Sequence, residues 1–375
     1  MQRSPQKHVL LTADTLGGVW TYAVSLARAL APSGWTFCLA TLGRPPTDYQ
    51  RAQAAALPNV RLVPSEHPLE WMPGDPWPGV EASREWLQAL VDEEKPDLVH
   101  LNSFGQPELR TPCPKLLGAH SCVRTWWRAV HGTDAPAGYE RYTECVSAAL
   151  RSAALVVTST RALLNDMKDV YGEFAPAQHV HNGIDFGPFS PVPKKPVVFA
   201  AGRLWDEGKN LGMLVRIAPR LRAPLHVAGE GAEARPRENL TALGQLPHDQ
   251  IRARLAEAAV FVHPARYEPF GLAPLEAAAS GCALVLSDLP SLREVWGDAA
   301  TFVPANDEGA WVDAVNRLLA DERLRRRQAA RCFARSRRFS LKRLAQNYHR
   351  LYARLLERPD IAPPLIKEAP VPSLR

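Results

Sequence analysis

"PVVFAAGRLWDEGKNLGMLVRIAPRLRAPLHVAGEG", residues 196–231, reads as strand, glycine turn, helix, strand and a second glycine turn. "PVVFA" is an apolar run of strand length, "KNLGMLVRIAPRL" has helical spacing, and "PLHVAG" is strand-like again. A strand that returns through a helix to another strand is a βαβ unit, and such units build parallel sheets. The rhythm continues downstream, where "NLTALG", "AVFVHPA" and "ALVLSD" are strand-like and "HDQIRARLAEA" and "LAPLEAAAS" helical.

The same alternation fills the first half of the chain. "HVLLTA" (8–13), "TFCLATL" (36–42), "DLVHLN" (97–102), "KLLGAHS" (115–121) and "ALVVTST" (154–160) are short apolar runs, several of them separated by patterns such as "VWTYAVSLARAL" and "EASREWLQALVDEE". At 375 residues the chain is too long for one core and right for two domains. The fold class expected is α/β, two facing Rossmann-like domains with parallel sheets and an interdomain cleft. The boundaries expected are an N-terminal domain at 1–187, a Pro-rich linker at 188–196 and a C-terminal domain at 197–338. A helix at 339–358 is expected to pack back on the first domain, ahead of a tail at 359–375. That helix, "FSLKRLAQNYHRLYARLLE", starts at a Ser340 cap and repeats apolar residues at Leu341, Leu344, Tyr348, Leu351 and Leu355.

Charged residues at 22% and hydrophobic ones at 46% fit an ordered globular protein. No apolar run approaches the ~18 residues of a membrane helix, and the N-terminus reads as a first strand rather than a leader peptide. Six scattered cysteines without a C-x-x-C spacing suit a reducing cytoplasm and free thiols, not zinc. The net charge of +6 is uneven: residues 1–190 carry 16 Lys and Arg against 19 Asp and Glu, so the excess lies in the second half. Much of it is "RLLADERLRRRQAARCFARSRRFSLKR", the arginine-rich face of C-terminal helices or a surface for acidic partners or anionic lipid. No nucleic-acid partner and at most peripheral membrane contact are expected.

Five segments carry chemistry. "RYEPFGLAPLEAAASG" (266–281) places Glu268 in a loop after an apolar strand and Glu276 on a helix starting near Leu272. Pro274 suits a first helical turn and Gly281 a C-terminal cap. The backbone N–H groups of Phe270, Gly271 and Leu272 then project from a helix N-terminus, where the dipole favours an anion such as a diphosphate. Solvated, dipole-compensating glutamates are the plain alternative. "AAGRLWDEGKNL" sets Arg203 and Lys209 around a turn at a strand end, a positive pair that suits a diphosphate or else an ordinary surface loop. A P-loop is excluded: five residues separate Gly202 from Gly208, and Asn210 stands where Ser or Thr would hold magnesium.

"TADTLGGVW" puts Gly17 and Gly18 between a strand and a helix, without the G-x-G-x-x-G fingerprint. "KLLGAHSCVRTWW" closes a strand with His120, a functional position if that strand end faces a cleft, and continues into Trp126 and Trp127, whose rings suit a sugar acceptor or plain core packing. "HVHNGIDFGPF" makes a turn at Asn182, Gly183 and Asp185.

With "GGVWTY", "GAHS", "HNGID", "GRLWDEGKNL", "VAGEG" and "EPFGLAPLEAAASG" in this order, the chain resembles the retaining GT-B glycosyltransferases of family 4, the glycogen-synthase-like group, over about residues 8–355. The resemblance implies a hexosyltransferase that uses a nucleotide-diphosphate sugar as co-substrate, with a glycan, small-molecule or lipid acceptor and no other cofactor. Arg203 and Lys209 would bind the donor diphosphate, Glu276 the ribose hydroxyls, and Glu268 the transferred sugar. The Phe270, Gly271 and Leu272 amides would surround sugar and phosphate, with Gly17 and Gly18 beside the phosphates. His120 would contact the sugar near the reacting centre. The chain holds no D-x-D, in keeping with metal-independent transfer. The segment after "VAGEG" is short, which leaves the nucleotide open. A glycosidase, a nucleotide-sugar epimerase of the same architecture and a non-catalytic sugar-nucleotide-binding subunit are the other readings; the first leaves Arg203 and Lys209 unexplained.

Overall fold

The computed structural model describes residues 7–187, 192–231 and 238–357. Part of the expected linker (188–191), the short segment after "VAGEG" (232–237) and the expected tail fall outside the described residues. The first sheet holds β1 (Lys7–Asp14), β2 (Trp35–Leu42), β3 (Val60–Pro64), β4 (Leu98–Leu101), β5 (Lys115–Ala119), β6 (Leu155–Thr158) and β7 (Ala177–His179). The second holds β8 (Lys195–Ala201), β9 (Leu225–Ala228), β10 (Leu240–Ala242), β11 (Ala258–His263), β12 (Ala283–Ser287) and β13 (Thr301–Val303).

Every strand pairing is parallel, in the orders β3-β2-β1-β4-β5-β6-β7 and β10-β9-β8-β11-β12-β13. Helices cover both faces, which is why the strands read as near-continuous apolar runs rather than alternating ones. Val9, Leu11 and Ala13 face one core of the first sheet, while Leu10 and Val99 face the other. Val198 and Phe199 divide the second sheet in the same way.

Each order reverses once, at β1/β4 and at β8/β11. A crevice opens beyond the C-terminal strand ends at such a switch point, and ligands bind there. The residues just past those ends are therefore Thr15–Gly18 and Asn102 in one domain, and Gly202–Lys209 and Pro264–Gly271 in the other.

The last helix, Leu341–Glu357, belongs to the core of the first sheet although its sequence follows the second. Ser340 Oγ accepts the Arg343 N–H at 3.3 Å, and the buried side is Leu341, Leu344, Ala345, Tyr348, Leu351, Tyr352 and Leu355. That side packs on helix Gly18–Leu30. Tyr352 Oη meets His100 Nδ1 at 2.6 Å inside the core. Burial holds His100 far below the usual imidazole range, at about 3.

A second line of contacts joins the domains. Tyr267 Oη lies 2.9 Å from Thr125 Oγ1, and Thr160 Oγ1 donates to the Pro269 carbonyl at 2.9 Å. Glu294 accepts the Arg161 and Ala162 N–H groups, each at 2.9 Å, at the start of helix Arg161–Tyr171. A carboxylate at a helix N-terminus is favoured by the dipole.

Candidate active site

A cleft of about 2050 Å³ lies between the sheets, lined by Leu16, Gly17 and Trp20 on one side and by Arg203, Leu272 and Glu276 on the other. Both switch points feed it. Gly17 has φ +88°, and a Cβ there would stand 3.1 Å from Arg203 Nη1 of the opposite domain. A Cβ on Gly18 would stand 3.7 Å from Leu272 Cδ1. The glycine pair thus brings the first domain's backbone against the cation and the helix start of the second.

That helix, Leu272–Ala279, begins after Gly271 at φ 93°, ψ 70°, a left-handed conformation that suits glycine. No side chain caps it and its first turn holds no acid, so its positive end is uncompensated. Pro274 occupies the first turn, where a missing N–H costs nothing, and Gly281 follows the end at φ +80°. Phe270 is a core side chain, so only its backbone is available to a ligand.

Both cations predicted for the diphosphate are held by carboxylates. Arg203 donates to Asp206 Oδ2 at 2.8 Å and lies over the Trp205 ring at 5.0 Å. Lys209 donates to Glu268 Oε2 at 2.8 Å, and His263 Nε2 reaches the same oxygen at 2.8 Å. Burial alone would raise the Glu268 carboxyl, but Lys209 and His263 together outweigh it and hold it far below the usual range. Glu268 therefore stays ionised and is no proton donor. Glu276 pairs instead with His248 Nε2 at 3.1 Å, and this bond is the main cause that raises the His248 pKa. The two glutamates have separate environments and are not an acid/base pair.

His120 directly follows β5 and meets Asn102 Oδ1 through Nε2 at 2.8 Å. The Asn102 amide donates to the Thr12 carbonyl at 2.7 Å, which fixes its oxygen toward His120 and the imidazole proton on Nε2. Burial pushes the ring down to about 4, so it is neutral at pH 7 with Nδ1 as an acceptor. Tyr22, 4.5 Å from the ring, forms the cleft wall beside it.

The two tryptophans go elsewhere. Trp126 Nε1 donates to Asp206 Oδ1 at 3.2 Å across the domains and packs where a Gly208 Cβ would be. Trp127 packs on His131 and Tyr139. Both tryptophans are engaged with protein, and the aromatic residues on the cleft wall are Trp20, Tyr22, Tyr49, Trp71, Phe186 and Trp205.

Sequence reasoning missed Asp206, His248 and His263. His263 ends β11 much as His120 directly follows β5, so the same signal, a histidine at the end of an apolar run, was there to find it. Asp14 was missed too: it ends β1, and burial pushes its carboxyl up to about 7 against the pull of the Leu16 N–H and Arg203. Among the described residues, His179, His181 and Glu294 have metal-ligand spacing, with ligand atoms within 4.8 Å. Glu294, however, already spends its oxygens on two helix N–H groups and His181.

Comparison with known proteins follows the same division of the chain. The family model described as Glycosyltransferase Family 4 matches residues 16–187, and that described as Glycosyl transferases group 1 matches residues 195–321. The D-inositol 3-phosphate glycosyltransferase of Xylanimonas cellulosilytica is 30% identical over 91% of this chain and 93% of its own length. The chain belongs to glycosyltransferase family 4. A second relative of this family 4 chain is the alpha-maltose-1-phosphate synthase of Mycobacterium tuberculosis, 30% identical over 56% of the chain and 64% of the relative, less than two thirds of its length. In fold, the family 4 chain superposes on sucrose-phosphate synthase from Thermosynechococcus elongatus with a TM-score of 0.79 at 20% identity, over 94% and 99% of the two chains. The two facing parallel sheets are those of the GT-B architecture.

Proposed function

We propose that the protein transfers a hexosyl group from a nucleotide-diphosphate sugar to a hydroxyl acceptor, with retention at the anomeric carbon and without a metal ion. The observation that carries this reading is the apposition of Gly17 to Arg203 beside an uncapped helix N-terminus, with Glu276 on that same helix. An extended sugar nucleotide suits such a row. Its diphosphate would take Arg203, Lys209 and the Leu272 amide, and its ribose hydroxyls would take Glu276.

Breaking the bond between sugar and diphosphate leaves negative charge on the leaving group, and preorganised cations aimed there lower the barrier most. Arg203 and Lys209 supply that charge in place of a metal ion. Each is held in position by a carboxylate before the donor arrives, which limits the entropy lost on binding. Glu268, locked in its ionised state, is suited to accept a sugar hydroxyl and to stabilise positive charge on the ring. Neutral His120 can accept a second sugar hydroxyl through Nδ1. The departing phosphate, held by these cations as its bond to the sugar breaks, would take the proton of the acceptor hydroxyl, so that the proton lost by the acceptor ends on the leaving group.

The test is incubation with UDP-, GDP- and ADP-hexoses, reading thermal stabilisation first and donor consumption second. One nucleotide should raise the melting temperature, because a ligand bound only by the folded state stabilises it. Turnover should survive a chelator. Stabilisation by none of the three, or turnover abolished by the chelator and restored by a divalent ion, would overturn the reading.

A further inference from the structure

Among the described residues three large apolar side chains are exposed, and two of them, Tyr49 at 56% and Trp205 at 57%, line this cleft. Exposing an aromatic face to water sacrifices its burial energy, so the pairing of both at one cleft calls for a ligand. They come from opposite domains: Tyr49 sits on helix Asp48–Ala55 of the first, and Trp205 follows β8 in the second.

The Trp205 ring is held in place. Trp205 donates through Nε1 to Glu230 Oε2 at 3.0 Å and is backed by Arg203. Glu230 reaches Arg44 of the first domain at 3.9 Å, and the Arg44 carbonyl accepts Thr15 Oγ1 at 2.7 Å. The Thr15 carbonyl in turn accepts the amide of Gln50, the neighbour of Tyr49, at 3.0 Å. A chain of polar contacts thus links Trp205 to Gln50, the helix neighbour of Tyr49, across the two domains and beside the arginine assigned to the diphosphate.

We propose that Tyr49 and Trp205 are the aromatic walls of an acceptor subsite for a neutral carbohydrate. The inference rests on the transferase reading given above. A sugar ring has an apolar C–H face that stacks on an aromatic ring and a hydroxyl edge that needs acceptors and donors. Gln50, Glu66, Asp75 and Glu230 line the same cleft and offer polar groups for that edge. The first domain's two arginines on the cleft are paired with carboxylates, Arg44 with Glu230 at 3.9 Å and Arg28 with Asp185 at 3.5 Å, while Glu66 and Asp75 add two further carboxylates to its lining. A phosphorylated acceptor would meet these carboxylates on the first domain's wall, and Arg203 beside Trp205 is engaged by Asp206 and assigned to the donor, so the subsite suits uncharged hydroxyl partners.

The experiment uses the full chain with whichever donor stabilises it. The acceptors offered are maltose, maltoheptaose, cellohexaose and myo-inositol, against glucose 1-phosphate, fructose 6-phosphate and inositol 3-phosphate. A neutral acceptor should be glycosylated, and Tyr49→Ala or Trp205→Ala should raise its KM about ten-fold. Trp205→Phe, which keeps a face over Arg203, should recover most of that loss, and the donor Kd measured without acceptor should stay within about two-fold. Transfer only to phosphorylated acceptors, transfer to none of the neutral ones, or an unchanged acceptor KM in both alanine variants would overturn the assignment. Failure of the underlying transferase reading shows differently, as no donor binding at all.

Discussion

Lys209→Ala separates the proposed donor chemistry from the fold. The side chain is mostly buried, and its ammonium sits 2.8 Å from a Glu268 carboxylate that is itself only 12% exposed. Removing it deletes one of two cations at the leaving diphosphate. Loss of one preorganised donor to a developing anion costs about 3 kcal/mol, or a fall of about 100- to 1,000-fold in kcat/KM. Lys209→Met should do the same, because it keeps the aliphatic stem and removes only the charge. The stability arm follows from Glu268. Its folded pKa lies below the model-compound value of 4.5, so it contributes stability above that value that is lost as pH falls through the folded one. Without Lys209, burial is opposed by His263 alone and the folded pKa rises. The variants should then be destabilised at pH 7, where the buried carboxylate lacks its cation, and should recover part of that loss between pH 7 and pH 5, as protonation of Glu268 relieves it. The assays are steady-state kinetics with the stabilising donor and melting curves across that range. Parental kcat/KM, or melting curves that stay parallel with pH, would refute the reasoning.

Glu276→Gln should weaken nucleotide affinity about ten-fold through loss of charge-assisted bonds to the ribose; unchanged calorimetric affinity would remove Glu276 from the donor site. His248 faces Glu276, Arg252 and Asp249, and its raised pKa means its pairing is complete at low pH and fades as pH rises through the raised value. Donor affinity should climb over that window, and His248→Ala should flatten the profile, which titration at several pH values will show. In the core, Tyr352→Phe leaves His100 Nδ1 without its hydroxyl partner and should cost about 1–3 kcal/mol of unfolding free energy in denaturant. An unchanged midpoint would show that the pair contributes nothing.

The fold was legible because strands covered on both faces are written as uninterrupted apolar runs, and "HVLLTA" and "AVFVHPA" announce themselves. The helix from Leu272 was legible for the same kind of reason: Pro274 and Gly281 fix its ends by their backbone chemistry. What a strand end faces is harder to read. His120 and Arg203 stood out as polar residues closing apolar strands, but which carboxylate each cation meets depends on folding that brings Asp206 and Glu268 back onto the turn. Trp126, Trp127 and Trp205 look alike in sequence. Only packing shows that the first two spend their surface on Asp206, Gly208 and His131 while the third turns its face to the cleft. His248 had no local signal, since its role comes from a contact 28 residues away.

The central claim is transfer from a sugar nucleotide by a leaving phosphate that acts as its own base. Proton NMR of the product's anomeric signal during the first turnovers, starting from an α-linked nucleotide hexose, tests it most directly. The account predicts an α-glycoside of the acceptor. A β-glycoside at the earliest time points, or an epimerised nucleotide sugar formed without any acceptor, would contradict it.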